Sequence, residues 1–499
     1  MSIEGSLVET LARVRSQAAV VANPAWLREL GVKALERCNR VPFGTLTKGL
    51  IVALLLGAAI TTQLNWQEVA SAREALAENP LGRAFLVASQ FFLVISVAFF
   101  AWQLYRIRTY RPASAAADAD LPTCTVVVPA YNEGRQVLVT LRSLMASDYP
   151  AEKLQIIAVD DGSRDDTWQW ILQAGREMPG RITTLQLPRN CGKRRALYEG
   201  FVRATGEVLV TVDSDSIVEP VTLRRLVSPF VGNPRCGAVA GNVRVLNLHE
   251  GIIPRMLDVS FVFSFDFVRS GQSSVNSVLC TPGALAAYRR DVLFKVLNEW
   301  MHQRFFGKPS DIGEDRAMTN LVLREGLHVL FQSDAVVYTN VPTRYKNLCK
   351  MLLRWARSNI RENIAMSEFA FRSFREGSAA GARAYLCMQW LWTASAPLFL
   401  TALLCCILWR PDIFLLNVLC GIGLWSSMPA LVYLRRHRSS DALWAYAYGI
   451  FNFAALSWIG PYSLVTMHKG GWLTRHLPAA TGAAAFPAAA APARSRAAA

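Results

Sequence analysis

The sequence predicts an α/β domain with a mainly parallel sheet, inserted between transmembrane α-helices, and three observations lead there. Long apolar runs lie towards both ends, two before residue 106 and three after residue 384, of the length that crosses a bilayer. Between them, strand-length apolar runs alternate with amphipathic helical stretches, as in βαβ units. The plainest strand, Val-Leu-Val-Thr-Val-Asp-Ser-Asp from Val208 to Asp215, stops at two carboxylates one residue apart. The end of a buried strand is where an α/β fold places its ligand site. Asp213 and Asp215 can hold a divalent cation there, or form a solvated turn; the residues alone leave both open.

Residues 1–48 mix apolar residues with Arg13, Arg15, Arg28, Lys33, Arg37 and Arg40, a pattern shared by basic amphipathic helices on membrane surfaces and by mobile basic tails. Residues 49–106 hold two transmembrane helices, roughly Leu50 to Leu64 and Ala84 to Tyr105, with Glu68, Glu74 and Glu78 in the loop between them. Basic residues flank the pair, among them Arg106, Arg108 and Arg111, so the positive-inside rule puts both ends in the cytoplasm. The chain beyond Arg111 is then a cytoplasmic domain on the inner membrane. The first apolar run begins only near Leu50 and no cleavage site comes after it, which argues against a removed signal peptide.

Residues 121–344 form the α/β domain, with strands at Thr125–Val128, Leu154–Val159, Ile182–Leu187 and Val208–Val212 and helices at Val137–Met145 and Thr167–Ala174. A parallel sheet gathers strand ends along one edge, so Asp160, Asp161, Asp213 and Asp215 should face one crevice. Ile252 to Val268 reads equally as an interfacial or a packed core helix. Residues 345–371 carry Lys346, Lys350, Arg354, Arg357 and Arg361 among apolar residues. An arginine at the bilayer centre costs at least ~2.5 kcal/mol, so this helix is expected at the interface. Residues 384–468 contain the three closing apolar segments, with Arg435, Arg436 and Arg438 marking a cytoplasmic turn. An odd count leaves the C-terminus outside unless Gly460 and Pro461 break the last segment into a re-entrant pair. The Ala- and Pro-rich tail, 479–499, is expected to be disordered.

A chain that is 52% hydrophobic and 18% charged, with a mean hydropathy of +0.23, is not an ordinary soluble protein. Its net charge of +16 is expected to meet membrane lipids and a nucleotide-linked substrate; no nucleic-acid motif accompanies it, and no nucleic-acid partner is expected. The ten cysteines show no zinc-ligand spacing and read as reduced, buried thiols.

Asp160-Asp161-Gly162-Ser163, Asn190-Cys191-Gly192-Lys193-Arg194, Asp213-Ser214-Asp215, Gly313-Glu314-Asp315-Arg316 and Arg354-Trp355 occur in an order and spacing that resembles the processive family 2 glycosyltransferases, above all hyaluronan synthases and the chitin-oligosaccharide synthases of nodulation. The likeness spans roughly Thr123 to Asn363. It implies a GT-A-like domain, with Asp160 and Asp161 as nucleotide contacts (the alternative is an Asp-Gly turn) and Lys193 and Arg194 as cationic partners of the diphosphate (the alternative is a solvated basic turn). It makes Asp213 and Asp215 the nucleotide and metal site for Mg2+ or Mn2+, with Asp215 the direct ligand. Asp315, beside Glu314, matches the family's catalytic base; an aspartate near pKa ~4 is a feeble base, so burial and hydrogen bonding should matter. The competing reading is a helix N-terminal carboxylate paired locally with Arg316.

Arg354 and Trp355 match the end of a Gln-x-x-Arg-Trp motif in which Arg contacts the diphosphate and Trp the acceptor sugar; Met351 stands at the Gln position. Pro282 and Gly283 align with an acceptor loop, and Trp472, Thr474 and Arg475 with a gating motif whose Gly is here Leu473. The resemblance thus implies an inverting, processive transferase that extends a β-linked polysaccharide from UDP-sugars, UDP-GlcNAc with UDP-glucuronate if the product is hyaluronan. It also implies that the growing polymer crosses the membrane, where an export partner could receive it. A chitin-like oligosaccharide or poly-GlcNAc synthase of limited processivity is the alternative, and an inactive scaffold subunit of an export complex the alternative from another class.

Overall fold

The computed structural model describes residues 42–470. Most of the basic region 1–48, the Trp472, Thr474 and Arg475 motif and the 479–499 tail lie outside the described residues. The chain divides into two compact units: one comprises Met1–Gln103, Asn247–Arg269 and Pro397–Trp458, the other Leu104–Leu246, Ser270–Ala396 and the chain from Ile459 onwards.

The first unit is helical. Helices Pro42–Leu64 and Pro80–Thr109 leave Leu50, Leu54, Ile60, Val87, Phe91 and Val94 exposed, as helices facing lipid do. The acidic connection between them is itself a helix, Trp66–Glu78, with no buried residue. Ile252–Phe261 runs on as a π-helix, Val262–Val268, and packs as core: Val259 and Val262 meet Tyr433, Leu434 and Ala445. Its two buried carboxylates are satisfied, Asp258 by the Tyr433 hydroxyl at 2.9 Å and Asp266 by Arg436 at 3.0 Å.

Among the described residues, four helices are long and apolar enough to cross a membrane: Thr47–Leu64, Pro80–Thr109, Ala380–Trp409 and Pro411–His437. The last apolar segment is broken into Ser440–Leu456 and Ile459–Thr466, and counting that pair as one span gives five. Pro461 falls in the first turn of the second piece, where no intrahelical N–H is required. The described cysteines are free thiols, but Cys387 and Cys405 are exposed on the apolar helix Ala380–Trp409 and not buried as expected.

The second unit holds an eight-stranded sheet: β1 (Cys124–Ala130), β2 (Leu154–Asp160), β3 (Ile182–Gln186), β4 (Val208–Val212), β5 (Ser216–Val218), β6 (Cys236–Val245), β7 (Leu285–Arg289) and β10 (His328–Thr339), in the order β3-β2-β1-β4-β7-β6-β10-β5. β8 (Arg304–Phe305) and β9 (Lys308–Pro309) form a separate two-residue ladder. Helices α1 (Gln136–Met145), α2 (Thr167–Glu177) and α3 (Lys193–Phe201) make the crossovers of the parallel half, followed by α4 (Thr222–Gly232), α5 (Arg290–Met301), α6 (Glu314–Arg324) and α7 (Tyr345–Ala370). The sheet is mixed: β1–β2, β2–β3, β1–β4 and β6–β10 are parallel, while β4–β7, β6–β7 and β5–β10 are antiparallel.

That reversal matters for the site. In the parallel half, Ala130 pairs with Asp160, so the ends of β1 and β2 are level. β7 runs the other way and sets Leu285 against Val212, so the start of β7 meets the end of β4. The Thr281–Gly283 turn therefore arrives where Asp213 leaves the sheet.

Helix α7, expected at the membrane interface, also packs two of its arginines into the protein. Arg357 and Arg361 are buried. Arg357 donates to the Thr466 hydroxyl at 2.9 Å, and Arg361 donates to the carbonyls of Met467 at 2.8 Å and Lys469 at 2.9 Å. Orphan carbonyls at the end of Ile459–Thr466 supply what a guanidinium needs, and this offsets the cost of its burial.

Candidate active site

The turns after β1, β2 and β4 leave one edge of the sheet. Asp160 is fully buried, its carboxylate accepting from the Ser163 amide at 3.1 Å and the Gln186 side chain at 3.0 Å. Asp161 accepts from the amides of Cys191 and Gly192, both at 2.8 Å. It thereby clasps the turn that launches Lys193 at the head of α3. The two carboxylates expected at a nucleotide are thus first engaged by their own chain.

Lys193 is the centre of the charged cluster. Its ammonium forms an ion pair with Asp213 and lies 3.4 Å from the Glu314 carboxylate. Burial alone would lower its pKa, but Asp213 and then Glu314 outweigh that and hold it above the ordinary lysine value. Gly283 closes over this point: a Cβ built there would sit 2.6 Å from the Lys193 nitrogen and 3.8 Å from an Asp213 oxygen. The Gly283 amide donates to Asp315 at 3.3 Å, and the Arg316 amide donates to the other oxygen of the same carboxylate at 2.7 Å.

Burial and then repulsion from Glu314 push the Asp315 pKa up, against the pull of Lys193 and the two amides. A carboxylate so placed is a better proton acceptor than a solvated aspartate. Beneath it runs a buried hydroxyl chain: Thr281 lies 2.8 Å from both the Tyr288 and the Thr319 hydroxyls, and Thr319 donates to the Asp315 carbonyl at 2.8 Å.

Asp215 is half-buried beyond the end of β4, with the Thr339 hydroxyl 3.3 Å from its carboxylate. Among the described residues no group of three His, Cys, Asp or Glu forms a closed metal cage. Asp213 and Asp215, carboxylates one residue apart beyond the end of β4 and both half-buried, fit a hard divalent cation that draws its other ligands from water and phosphate.

Arg194 does not join this cluster. Its guanidinium turns into the domain, donating to the Trp300 carbonyl at 2.5 Å and the Gln303 side chain at 3.0 and 3.1 Å, over the Trp300 ring. A side chain 7% exposed with those acceptors holds α3 onto α5, where a diphosphate contact was expected. On α7, Arg354 and Trp355 are half-buried while Met351 is buried, so the position where a glutamine was expected is an apolar contact. Pro282 is buried, and its carbonyl accepts from the Leu285 amide at 3.1 Å in the turn that presents Gly283.

Residues 122–358 match the family described as Glycosyltransferase like family 2. An N-acetylglucosaminyltransferase of Rhizobium meliloti is 35% identical over 257 residues, which are 51% of this chain and 60% of that protein. One of Mesorhizobium japonicum is 30% identical over 373 residues, 71% of this chain and 82% of that protein. The chain is a family 2 glycosyltransferase. Among solved structures, the mannosyltransferase of Pyrobaculum calidifontis in complex with GDP-Man and Mn2+ aligns with a TM-score of 0.50 and 22% identity over 74% of this chain and 99% of that one, a likeness of fold. The domain of this glycosyltransferase is therefore GT-A-like with a mixed sheet, and the fold implies a nucleotide-sugar donor and an acceptor.

Two parts of this transferase escape the sequence pattern. The turn after β1, Tyr131-Asn132-Glu133, adjoins the Asp160–Ser163 turn: Asn132 has φ 53°, and its side chain accepts from the Arg164 amide at 2.8 Å. A polar Asn-Glu-Gly run one residue after a mostly apolar, wholly buried strand is the signal that could have found it. The other is Arg316, a local partner of Asp315 only in the competing reading of that motif, whose guanidinium reaches α7.

Proposed function

We propose that this glycosyltransferase transfers N-acetylglucosamine from UDP-GlcNAc, with inversion, to the terminal sugar of a growing β-linked GlcNAc chain. The observation that carries the reading is the half-buried Asp315 carboxylate, raised in basicity and held by the Gly283 amide near Lys193. The relatives named N-acetylglucosaminyltransferase supply the sugar.

Asp315 accepts the proton of the acceptor hydroxyl as that oxygen bonds to the anomeric carbon. The bond from that carbon to the diphosphate oxygen breaks, and UDP leaves with the electron pair. Lys193 and Arg354 face the charge that develops on the diphosphate. Asp215, with Asp213, would hold Mg2+ or Mn2+, which supplies further neutralisation of the leaving group. Glu314 adds to Asp213 in holding Lys193 protonated and to burial in raising the Asp315 pKa, Asp161 fixes the loop that carries Lys193, and Trp355 stacks on the acceptor sugar, with the Pro282–Gly283 turn beneath it.

The apolar helices support a membrane location, with the transferase domain on the cytoplasmic side of the inner membrane by the positive-inside argument. Residues 459–470 belong to the catalytic unit and are tied to α7 by Arg357 and Arg361. That favours the re-entrant reading of the last apolar segment; the gating role of Trp472, Thr474 and Arg475 rests on the sequence motif alone. Buried Met351, lacking an amide, favours a product of limited length.

The test is incorporation of labelled sugar by the purified chain in lipid vesicles with Mg2+ and UDP-GlcNAc, with and without UDP-glucuronate. A chitinase-sensitive product from UDP-GlcNAc alone is expected. A product that requires both donors and is cut by hyaluronidase would replace this reading with the two-donor one, and no incorporation would leave the scaffold reading.

A further inference from the structure

Helix α6 carries Asp315 and helix α7 carries Trp355, and a set of buried polar contacts joins them. Arg316, 2% exposed, donates to the side-chain oxygens of Asn359 at 2.7 Å, Asn363 at 2.5 Å and Gln389 at 2.6 Å. One turn further along α6, Asn320 donates to both the carboxylate and the backbone carbonyl of Glu362 at 2.9 Å. The second Glu362 oxygen accepts from Gln303 at 2.9 Å, and the other end of the Gln303 amide accepts from Arg194, the neighbour of Lys193. At the head of α6, a Cβ on Gly313 would overlap the Ser358 hydroxyl, so the two helices touch there without a spacer.

These residues are spaced to act together. Asn359, Glu362 and Asn363 lie four, seven and eight positions beyond Trp355 and share its face of α7. Arg316 and Asn320 are four apart and share a face of α6. Apolar packing fixes how close two helices lie but resists sliding weakly, whereas each buried directional hydrogen bond left unmade costs about 1–3 kcal/mol. A buried guanidinium and a buried carboxylate are expensive ways to join helices, and conformational specificity is the return they bring.

We propose that this polar clamp fixes the register of Trp355 against the Asp315 carboxylate, with Arg316 and Glu362 as positioning residues, and so sets how the donor sugar divides between the acceptor hydroxyl and water. The inference rests on the reading of Asp315 as base and Trp355 as acceptor platform. Loosening the clamp leaves the donor site, built on Lys193, Asp213 and Asp215, in place, but moves the acceptor oxygen off line, so that water takes the anomeric carbon.

The test uses the full chain in lipid vesicles with UDP-GlcNAc and a chitin oligosaccharide acceptor, measuring released UDP and transferred GlcNAc in parallel. In Glu362→Gln, donor KM and UDP release should stay within about threefold of the unmodified protein, while GlcNAc transfer falls at least about tenfold and acceptor KM rises. Asn359→Ala removes one arm of the clamp at an exposed residue and leaves Arg316 its other two acceptors, and should show the same split more weakly. Release and transfer falling together in both variants, or an unchanged ratio at full rate, overturns the inference. The unmodified protein separates the two layers: if it neither consumes UDP-GlcNAc nor transfers GlcNAc, the reading beneath the inference fails, and the inference with it.

Discussion

Gly283→Ala is a one-carbon perturbation aimed at the charged cluster. The added Cβ would stand 2.6 Å from the Lys193 nitrogen, well inside contact distance, while the backbone there is not in the left-handed region. The lysine tip is the movable partner, and relief requires it to retreat by roughly 1 Å. Stretching an ion pair from about 3 to about 4 Å at an effective dielectric of about 20 loses about 1.4 kcal/mol, a factor of about ten. The turnover of UDP-GlcNAc by the variant should therefore fall about tenfold. Lys193 also opposes the rise in the Asp315 pKa, so its retreat should move the acid limb of the pH–rate profile to higher pH. Thermal stability should change by less than about 1 kcal/mol, since alanine restricts the unfolded chain. Full activity with an unshifted acid limb would refute the placement of the ammonium; inactivity with a collapsed Tm would show that Gly283 serves the fold alone.

The same geometry predicts other outcomes. A base must be ionised to act, so activity is lost as pH falls through the Asp315 pKa; Glu314→Gln removes a charge that raises it and should shift the acid limb to lower pH, measured by initial rates. Arg194→Ala leaves the Trp300 carbonyl and Gln303 without a buried donor and should cost about 2–4 kcal/mol by denaturant titration, with little change in donor KM. Lys193→Ala should do the reverse, raising donor KM more than it lowers Tm. Chelation of divalent ions should abolish turnover, Mg2+ or Mn2+ should restore it, and Asp215→Asn should raise the metal concentration needed for half-maximal rate.

Much of this was legible in the residues because strand ends announce themselves. Val208–Val212 ends at Asp213 and Leu154–Val159 at Asp160, and a parallel pairing of β1 with β2 and β4 is enough to bring those ends to one edge. The apolar helices were equally plain, since length and composition suffice to find them. What the pattern could not give was the reversed β7, whose short run Leu285–Arg289 looks the same in either direction, yet delivers Gly283 to Lys193. Nor could it tell one cation from another. Lys193 and Arg194 are adjacent, but successive positions at the head of a helix point about 100° apart, so one meets Asp213 and the other the Trp300 carbonyl. The partners of Arg357 and Arg361 escape the pattern for a related reason: their acceptors on Thr466, Met467 and Lys469 lie about a hundred residues away in the chain.

The most direct test of the proposed chemistry is a paired measurement on Asp315→Asn in lipid vesicles: UDP affinity and GlcNAc transfer from UDP-GlcNAc. UDP bound as tightly as by the unmodified chain, with transfer reduced at least about a thousandfold, is the predicted result, because the amide keeps the shape of the site and cannot take the acceptor proton. Transfer retained within about tenfold would contradict the assignment of Asp315 as the base.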